Sequence, residues 1–109
     1  MKNKPVLVLH IDDKMKRGPK LDKVIASALG LREGPSYSVD SDAAWLIVTR
    51  LAEEYVGCTI GCVPHILWDD YETHHWECTF EGGPPVSAET QAHAICLAAL
   101  HNQYGVVWA

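Results

Sequence analysis

The sequence predicts an α+β fold, a small α/β/α-type sandwich with three helices packed on a mostly antiparallel sheet of about four strands. Three segments carry apolar residues at helical spacing, and two others alternate apolar with polar residues. Their order is β-α-α-β-β-α-β, which is typical of this class. The chain has 109 residues, so we expect a single domain: an N-terminal strand and basic loop over 1–18 and a sandwich core over 19–109.

The first two elements are a strand and a helix. The run PVLVLHI at 5–11 is largely apolar, which predicts a strand that is buried on both faces or covered early in the sheet. It is not interpreted as a signal peptide, since it stops at Asp12. Pro19 suits the first turn of a helix, and Gly30 suits its C-terminal stop. The apolar stripe of this helix consists of Leu21, Val24, Ile25, Ala28 and Leu29.

The strongest local signal is the stretch from Ser36 to Leu51, which predicts the second helix. Asp40 or Ser41 is expected to cap it, and Gly57 to end it. Its apolar stripe is predicted to comprise Ala44, Ile47, Val48, Leu51 and Tyr55, widened by Ala52 and by Trp45 as a core residue.

Two strands with a period of two follow. Val56, Cys58, Ile60 and Cys62 share one face of the first, and Pro64 favours a position at the edge of the sheet. A long hairpin loop over 68–73 leads to the return strand, in which Trp76, Cys78 and Phe80 share the buried face.

The third helix is predicted to be the most buried. The run from Gly82 to Pro85 breaks the chain, Ser87 is expected to cap the helix, and Gly105 to end it before a final strand over 106–108. Its inner stripe is small and apolar: Ala92, Ile95, Cys96, Ala99 and Leu100.

The charge is divided unevenly along the chain. Residues 1–50 contain all nine Lys and Arg and have a net charge of +3, whereas residues 51–109 have a net charge of −8. This division disfavours duplex nucleic acid, which needs a broad basic surface. It is compatible with a local anion site, with a homo-oligomer that joins opposite charges, or with no ligand at all. No apolar run is long enough to span a membrane, and we expect a cytoplasmic protein with reduced cysteines.

A basic loop is the first candidate site. Lys14, Lys16, Arg17 and Lys20 surround the predicted start of the first helix, with Lys23 one turn further on. Free backbone N–H groups and the helix dipole favour an anion at such a position. The alternative is a solvated charged loop.

Aromatic residues in loops are the second candidate. Tyr37, Trp68 and Tyr71 lie where large apolar side chains are uncommon, so Tyr37 and Trp68 are candidates for stacking on a planar ligand. The alternative is ordinary packing within the chain or against a neighbouring subunit.

Cysteine and histidine residues form the third candidate. Cys58, Cys62, His65 and Cys78 resemble a zinc set, but the strand periodicity places the cysteines on core faces, so we expect no metal and no cofactor. Asp69, Asp70, Glu72, His74 and His75 cluster at the hairpin, where a metal-assisted hydrolase is one interpretation and a polar loop is the other. His74 and His75 are also kept as candidate ligand-binding residues.

Several short motifs occur in an order that resembles the phage ABA-sandwich domain and, more distantly, the phage NinX proteins. They cover about residues 20–101 and include Tyr37-Ser38, Asp40, Ala43-Ala44-Trp45, the run from Trp76 to Phe80, and the run from Ala94 to Leu100. The resemblance implies a small phage accessory protein with helices on both faces of a sheet and without catalytic residues. The N-terminal strand, the basic loop and the long hairpin depart from the family pattern.

These observations predict a non-enzymatic binding protein. The first hypothesis is a counter-defence protein that sequesters a nucleotide-derived immune signal, with phosphates at Lys14, Arg17 and Lys20 and a base on Tyr37 or Trp68. The second is an interaction module whose acidic half binds a host protein. The third and least favoured is the metal-assisted hydrolase.

Overall fold

The helices and strands follow the predicted order with one additional short strand. The computed structural model describes residues 5–9, 16–66 and 72–108. The elements are β1 (Val6–Leu9), α1 (Pro19–Leu29), α2 (Ser41–Ala52), β2 (Cys58–Ile66), β3 (Glu72–Phe80), β4 (Val86–Ala88), α3 (Gln91–Gln103) and β5 (Gly105–Trp108). The predicted α+β class with three helices is confirmed, and the strands form an antiparallel sheet of three and a small parallel pair.

The antiparallel sheet has the order β2-β3-β4. Its register pairs Cys58 with Phe80 at one end of the hairpin and Ile66 with Glu72 at the other. Strand β2 therefore lies at an edge of the sheet, as Pro64 predicted. The second sheet pairs β1 with β5 in parallel, so the two ends of the described chain lie side by side.

Helix α3 is the centre of the core, which confirms the prediction from its small residues. Every residue from Ala94 to Leu100 is buried, and the helix contacts α2, β3 and β4. Alanine and cysteine side chains allow such close approach on several sides. Helix α3 therefore packs between α2 and one face of the antiparallel sheet. The other face of the sheet carries exposed polar residues, including Thr59, Glu77 and Ser87.

Side-chain caps define where α2 and α3 begin. The Asp40 carboxylate accepts a hydrogen bond from the Asp42 amide at 2.9 Å, as predicted for α2. The cap of α3 is Thr90, whose hydroxyl accepts from the His93 amide at 3.3 Å. The prediction that Ser87 caps this helix is wrong, because Ser87 pairs with Glu77 in the sheet and the chain turns into a helix only after β4 ends.

The end of α2 also differs from the prediction. The chain reverses at Tyr55, which has a left-handed backbone with φ 62°. The Tyr55 amide donates to the carbonyl of Ala52 and the Val56 amide to that of Leu51, which is the Schellman pattern. Gly57 is therefore not the stop, and Tyr55, which is 94% exposed, is not part of the apolar stripe.

Two further burial predictions are wrong. Trp45 is 42% exposed, because the buried stripe of α2 comprises Ala43, Ala44, Ile47 and Leu51 and is too narrow to include position 45. Val6 is 69% exposed, because β1 belongs to a two-stranded sheet that is covered on one side only, where Leu7 packs on the core. None of the helices in the described ranges combines the length and the apolar character that crossing a bilayer requires.

The left-handed tyrosine predicts a stabilising substitution. Tyr55→Gly is expected to raise the free energy of unfolding by about 0.5–1 kcal/mol, because glycine adopts this backbone without the steric cost that a Cβ imposes. Denaturant unfolding at low protein concentration measures the change. Gly30, which has φ 65° at the matching position after α1, is the control: Gly30→Ala is expected to lower stability. A loss of stability in Tyr55→Gly contradicts the assignment of backbone strain.

Candidate functional site

A buried hydrogen-bond network joins the start of α1 to the turn before α2. Ser38 is 0% exposed. Its hydroxyl donates to the Asp22 carboxylate at 2.6 Å and accepts from the Gly18 amide at 2.7 Å. The Ser38 amide donates to the same Asp22 oxygen at 2.8 Å. A segment twenty residues along the chain thus satisfies the backbone amide of Gly18, the residue that precedes the first turn of α1.

This network fixes the basic residues that come just before the helix. Gly18 has φ 144° and ψ −172°, a backbone region that is essentially restricted to glycine. Pro19, the first helical residue, restricts the next φ angle. The backbone at Lys16 and Arg17 therefore enters the helix in a defined direction, although both side chains are exposed.

These two cations lie in a cleft of about 530 Å³ between the loop and the start of α3. Basic, acidic and apolar groups line it: Lys16, Arg17, Ser87, Ala88, Glu89, His93 and Leu97. The arrangement offers positive charge at one wall, a carboxylate at another, and the apolar surface of Ala88 and Leu97. A cleft of this size is in the range that holds small-molecule ligands.

Sequence reasoning missed Glu89 and His93, which approach Lys16 only through the tertiary fold. Seventy or more residues of sequence separate the two walls of the cleft. The available signal was the position of His93 four residues before Leu97, which places both on one helical face.

The remaining basic residues do not converge on this cleft. Lys20 lines a different cleft of about 640 Å³ together with Lys23. A third cleft, of about 240 Å³, lies beside the first turn of α1 and contains Asp22 and Glu33 as well as Lys23. Two carboxylates disfavour an anion there. The basic residues are thus divided: Lys16 and Arg17 share one cleft, which contains Glu89, and Lys20 and Lys23 share another, which contains no carboxylate. Lys14 lies outside the described residues.

Tyr37 does not stack on a ligand, and this prediction is wrong. Its side chain is 1% exposed, and its hydroxyl donates to the carbonyl oxygen of Arg32. Burial raises the pKa of the Tyr37 phenol, and the nearby Arg32 charge opposes this increase. The side chain of Tyr37 is covered by the segment between α1 and α2, and its hydrogen bond to Arg32 joins two parts of that segment.

The hairpin candidates fall largely outside the described residues. Trp68, Asp69, Asp70 and Tyr71 lie there, and so does the side chain of His74, whose backbone pairs with Pro64. His75 is described, and it is half-buried in β3. In the part of the chain that the structure describes, no group of three or more His, Cys, Asp or Glu side chains is placed to hold a metal ion.

The cysteines belong to the core, as the strand and helix periodicity predicted. Cys78 and Cys96 are buried and Cys58 is half-buried, while the side chain of Cys62 lies outside the description. The sulfur atoms of Cys58 and Cys78 are 3.6 Å apart. Burial raises the pKa of all three described thiols, which keeps them protonated and unreactive.

Comparison of the chain with known protein families, curated proteins and solved structures gives no match. The resemblance to the phage ABA-sandwich domain therefore stays a prediction from the sequence, and function is argued from the clefts themselves.

The buried network predicts a specific loss of stability. Ser38→Ala is expected to lower the free energy of unfolding by about 1–3 kcal/mol, because it removes the hydroxyl that pairs with both the Gly18 amide and the Asp22 carboxylate. Hydrogen exchange at the Gly18 amide is expected to accelerate as well. The matched control is Ser36→Ala at an exposed serine, with a change within about 0.5 kcal/mol. Equal effects of the two substitutions contradict the role of the network.

The buried thiols predict a loss of stability in alkaline solution. In the unfolded chain a thiol ionises near pH 8.5, whereas burial raises the pKa of Cys96 in the folded state. The unfolded state therefore loses its proton first, and stability falls as the pH rises above about 8.5, by up to about 1.4 kcal/mol per pH unit for each thiol. Denaturant unfolding at several pH values checks this. Cys96→Ala is expected to have a shallower slope than the wild type, and an identical slope contradicts the explanation.

Proposed function

We propose that this protein is a non-enzymatic binding protein that sequesters a small nucleotide-derived anion in the cleft of Lys16, Arg17 and His93. The observation that carries the proposal is the convergence of two cations from the loop before α1 with polar and apolar residues at the start of α3. The cleft of Lys20 and Lys23 also has two cations and an apolar floor, but it lacks a carboxylate that could accept from ribose hydroxyl groups.

Phosphate binding follows from the basic wall. Arginine forms paired hydrogen bonds with phosphate oxygens, and lysine adds a compact positive charge. Lys16 and Arg17 are adjacent in sequence and line the same cleft, so one or two phosphate groups can contact both side chains. The loop that holds them is fixed through Gly18 by Ser38, which lowers the entropic cost of ordering it on binding.

The opposite wall suits the rest of a nucleotide. The Glu89 carboxylate is an acceptor for ribose hydroxyl groups, and the imidazole of His93 is half-buried beside it. Ala88 and Leu97 supply apolar surface for the face of a base. The same carboxylate repels a bare inorganic anion, so we expect nucleotide-like ligands to bind more tightly than phosphate.

Sequestration rather than catalysis is favoured by the chemistry of the cleft. The hydroxyl of Ser87, a residue that lines the cleft, lies 3.5 Å from the Glu77 carboxylate and has no described base other than that carboxylate as its partner. Described cysteines are buried with raised pKa values and supply no nucleophile. The phage-like sequence motifs support a counter-defence role in the host cytoplasm, where a stoichiometric binder needs affinity alone.

A thermal-shift and calorimetric screen tests this function. Cyclic dinucleotides and ADP-ribose derivatives are the probes, with inorganic phosphate for comparison. Arg17→Glu is expected to weaken binding of the best ligand about tenfold or more, since a charge-assisted hydrogen bond contributes about 1.5–3 kcal/mol. Arg32→Glu, at an exposed cation outside the cleft, is the matched control. The proposal fails if no nucleotide stabilises the folded protein or if both variants lose affinity equally.

A second candidate is binding of a host protein through the acidic half. The described residues after Leu51 expose Glu53, Glu54, Glu77, Glu81 and Glu89, and residues 51–109 contain no Lys or Arg. A surface of one sign attracts a basic partner. A salt-sensitive stoichiometric complex from host lysate, formed equally by wild type and Arg17→Glu, supports this reading over the first.

A further inference from the structure

A continuous groove runs along the outer side of α1, away from the ligand cleft. Two neighbouring clefts, of about 640 and 470 Å³, share Ser27, Ala28 and Tyr104 in their walls. The larger contains Lys20 and Lys23, and the smaller contains Arg50 and Glu54. The groove therefore has a basic end, and an end where Glu54 is paired with Arg50.

The floor of the basic end is apolar. Leu7, Val24 and Ala28 contribute aliphatic surface, and Tyr104 forms a wall. The Tyr104 hydroxyl donates to the Ala28 carbonyl at 2.5 Å, which fixes the ring beside α1. An apolar floor with a lysine rim suits an aromatic or aliphatic side chain flanked by carboxylates.

A side chain of that kind projects from the end of α2. Tyr55 is 94% exposed and stands in a left-handed conformation that favours glycine. Glu53 and Glu54, both exposed, precede it directly. This tyrosine contributes nothing to the core and carries a steric cost in its backbone, which makes it a candidate for contact with another molecule.

The projecting tyrosine and the groove lie on one side of the molecule. Glu54, the neighbour of Tyr55, lines the smaller cleft and forms an ion pair with Arg50 at 2.9 Å. The acidic projection is thus at one end of the groove and the lysines are at the other. This arrangement is self-complementary: when a second copy is turned by a two-fold rotation, its acidic end meets the basic end of the first.

We propose that the chain forms a two-fold homodimer in which Tyr55 of each copy inserts into the groove of the other, between Val24 and Tyr104. Glu53 of one copy faces Lys23 of the other. The occupant is a second copy because both complementary parts, the acidic aromatic projection and the basic apolar groove, lie on this chain and on the same side of it. The inference is independent of the ligand cleft, since no residue lines both.

Sedimentation velocity and light scattering of the full chain test the dimer. Wild type is expected to dimerise, and Tyr55→Gly to weaken the dimer at least tenfold while circular dichroism shows a folded protein. Leu46→Ala is the matched control, because it removes another exposed apolar side chain of α2 and is expected to leave the dimer unchanged. A wild type that is monomeric at about 200 µM overturns the proposal.

A charge exchange then tests the orientation. Lys23→Glu and Glu53→Lys are each expected to weaken the dimer several-fold, and the double variant is expected to recover most of the affinity. Additive loss in the double variant, or open-ended assembly into filaments, overturns the two-fold arrangement. Arg17→Glu is expected to dimerise like wild type, so failure of the ligand proposal and failure of the dimer are distinguishable.

Discussion

The structure depends on one buried hydroxyl, that of Ser38. It connects the Gly18 amide to the Asp22 carboxylate and so joins the start of α1 to the turn that precedes α2. A buried polar group without partners is costly, so the two helices are held in one relative position. Because Gly18 is held, Arg17 is directed toward the cleft at α3, and the candidate ligand site follows from a structural contact.

The motif residues around Ser38 are structural rather than functional. Tyr37 fills the space under the loop after α1, Ser38 makes the network, and Asp40 caps α2. The candidate ligand site lies instead in the basic loop beside this scaffold. The fold divides the basic residues between two surfaces: Lys16 and Arg17 line the candidate ligand cleft, while Lys20 and Lys23 line the groove.

The candidate site was only half predictable. The basic loop was visible in the sequence because its cations are adjacent, and the structure supports Lys16 and Arg17 as one wall of a cleft. Glu89 and His93 were invisible because their relation to that loop is set by the packing of α3. Tyr37 was wrongly predicted to be an exposed ligand-stacking residue. The segment around it is rich in Gly and Pro, which is typical of an exposed loop, but tertiary contacts bury its side chain.

Local periodicity by itself determined α1, α2, α3 and the buried face of β3, because side-chain spacing and capping are properties of neighbouring residues. It did not determine that Thr90 rather than Ser87 caps α3, how wide the buried stripe of α2 is, or where that helix stops. Those features depend on which surfaces meet: β4 pairs with β3 through Ser87, α2 buries only a narrow stripe, and a Schellman turn ends it at Tyr55. Tertiary packing decided these features. Each depends either on a contact with residues distant in sequence or on a backbone conformation that the residue type at that position does not predict.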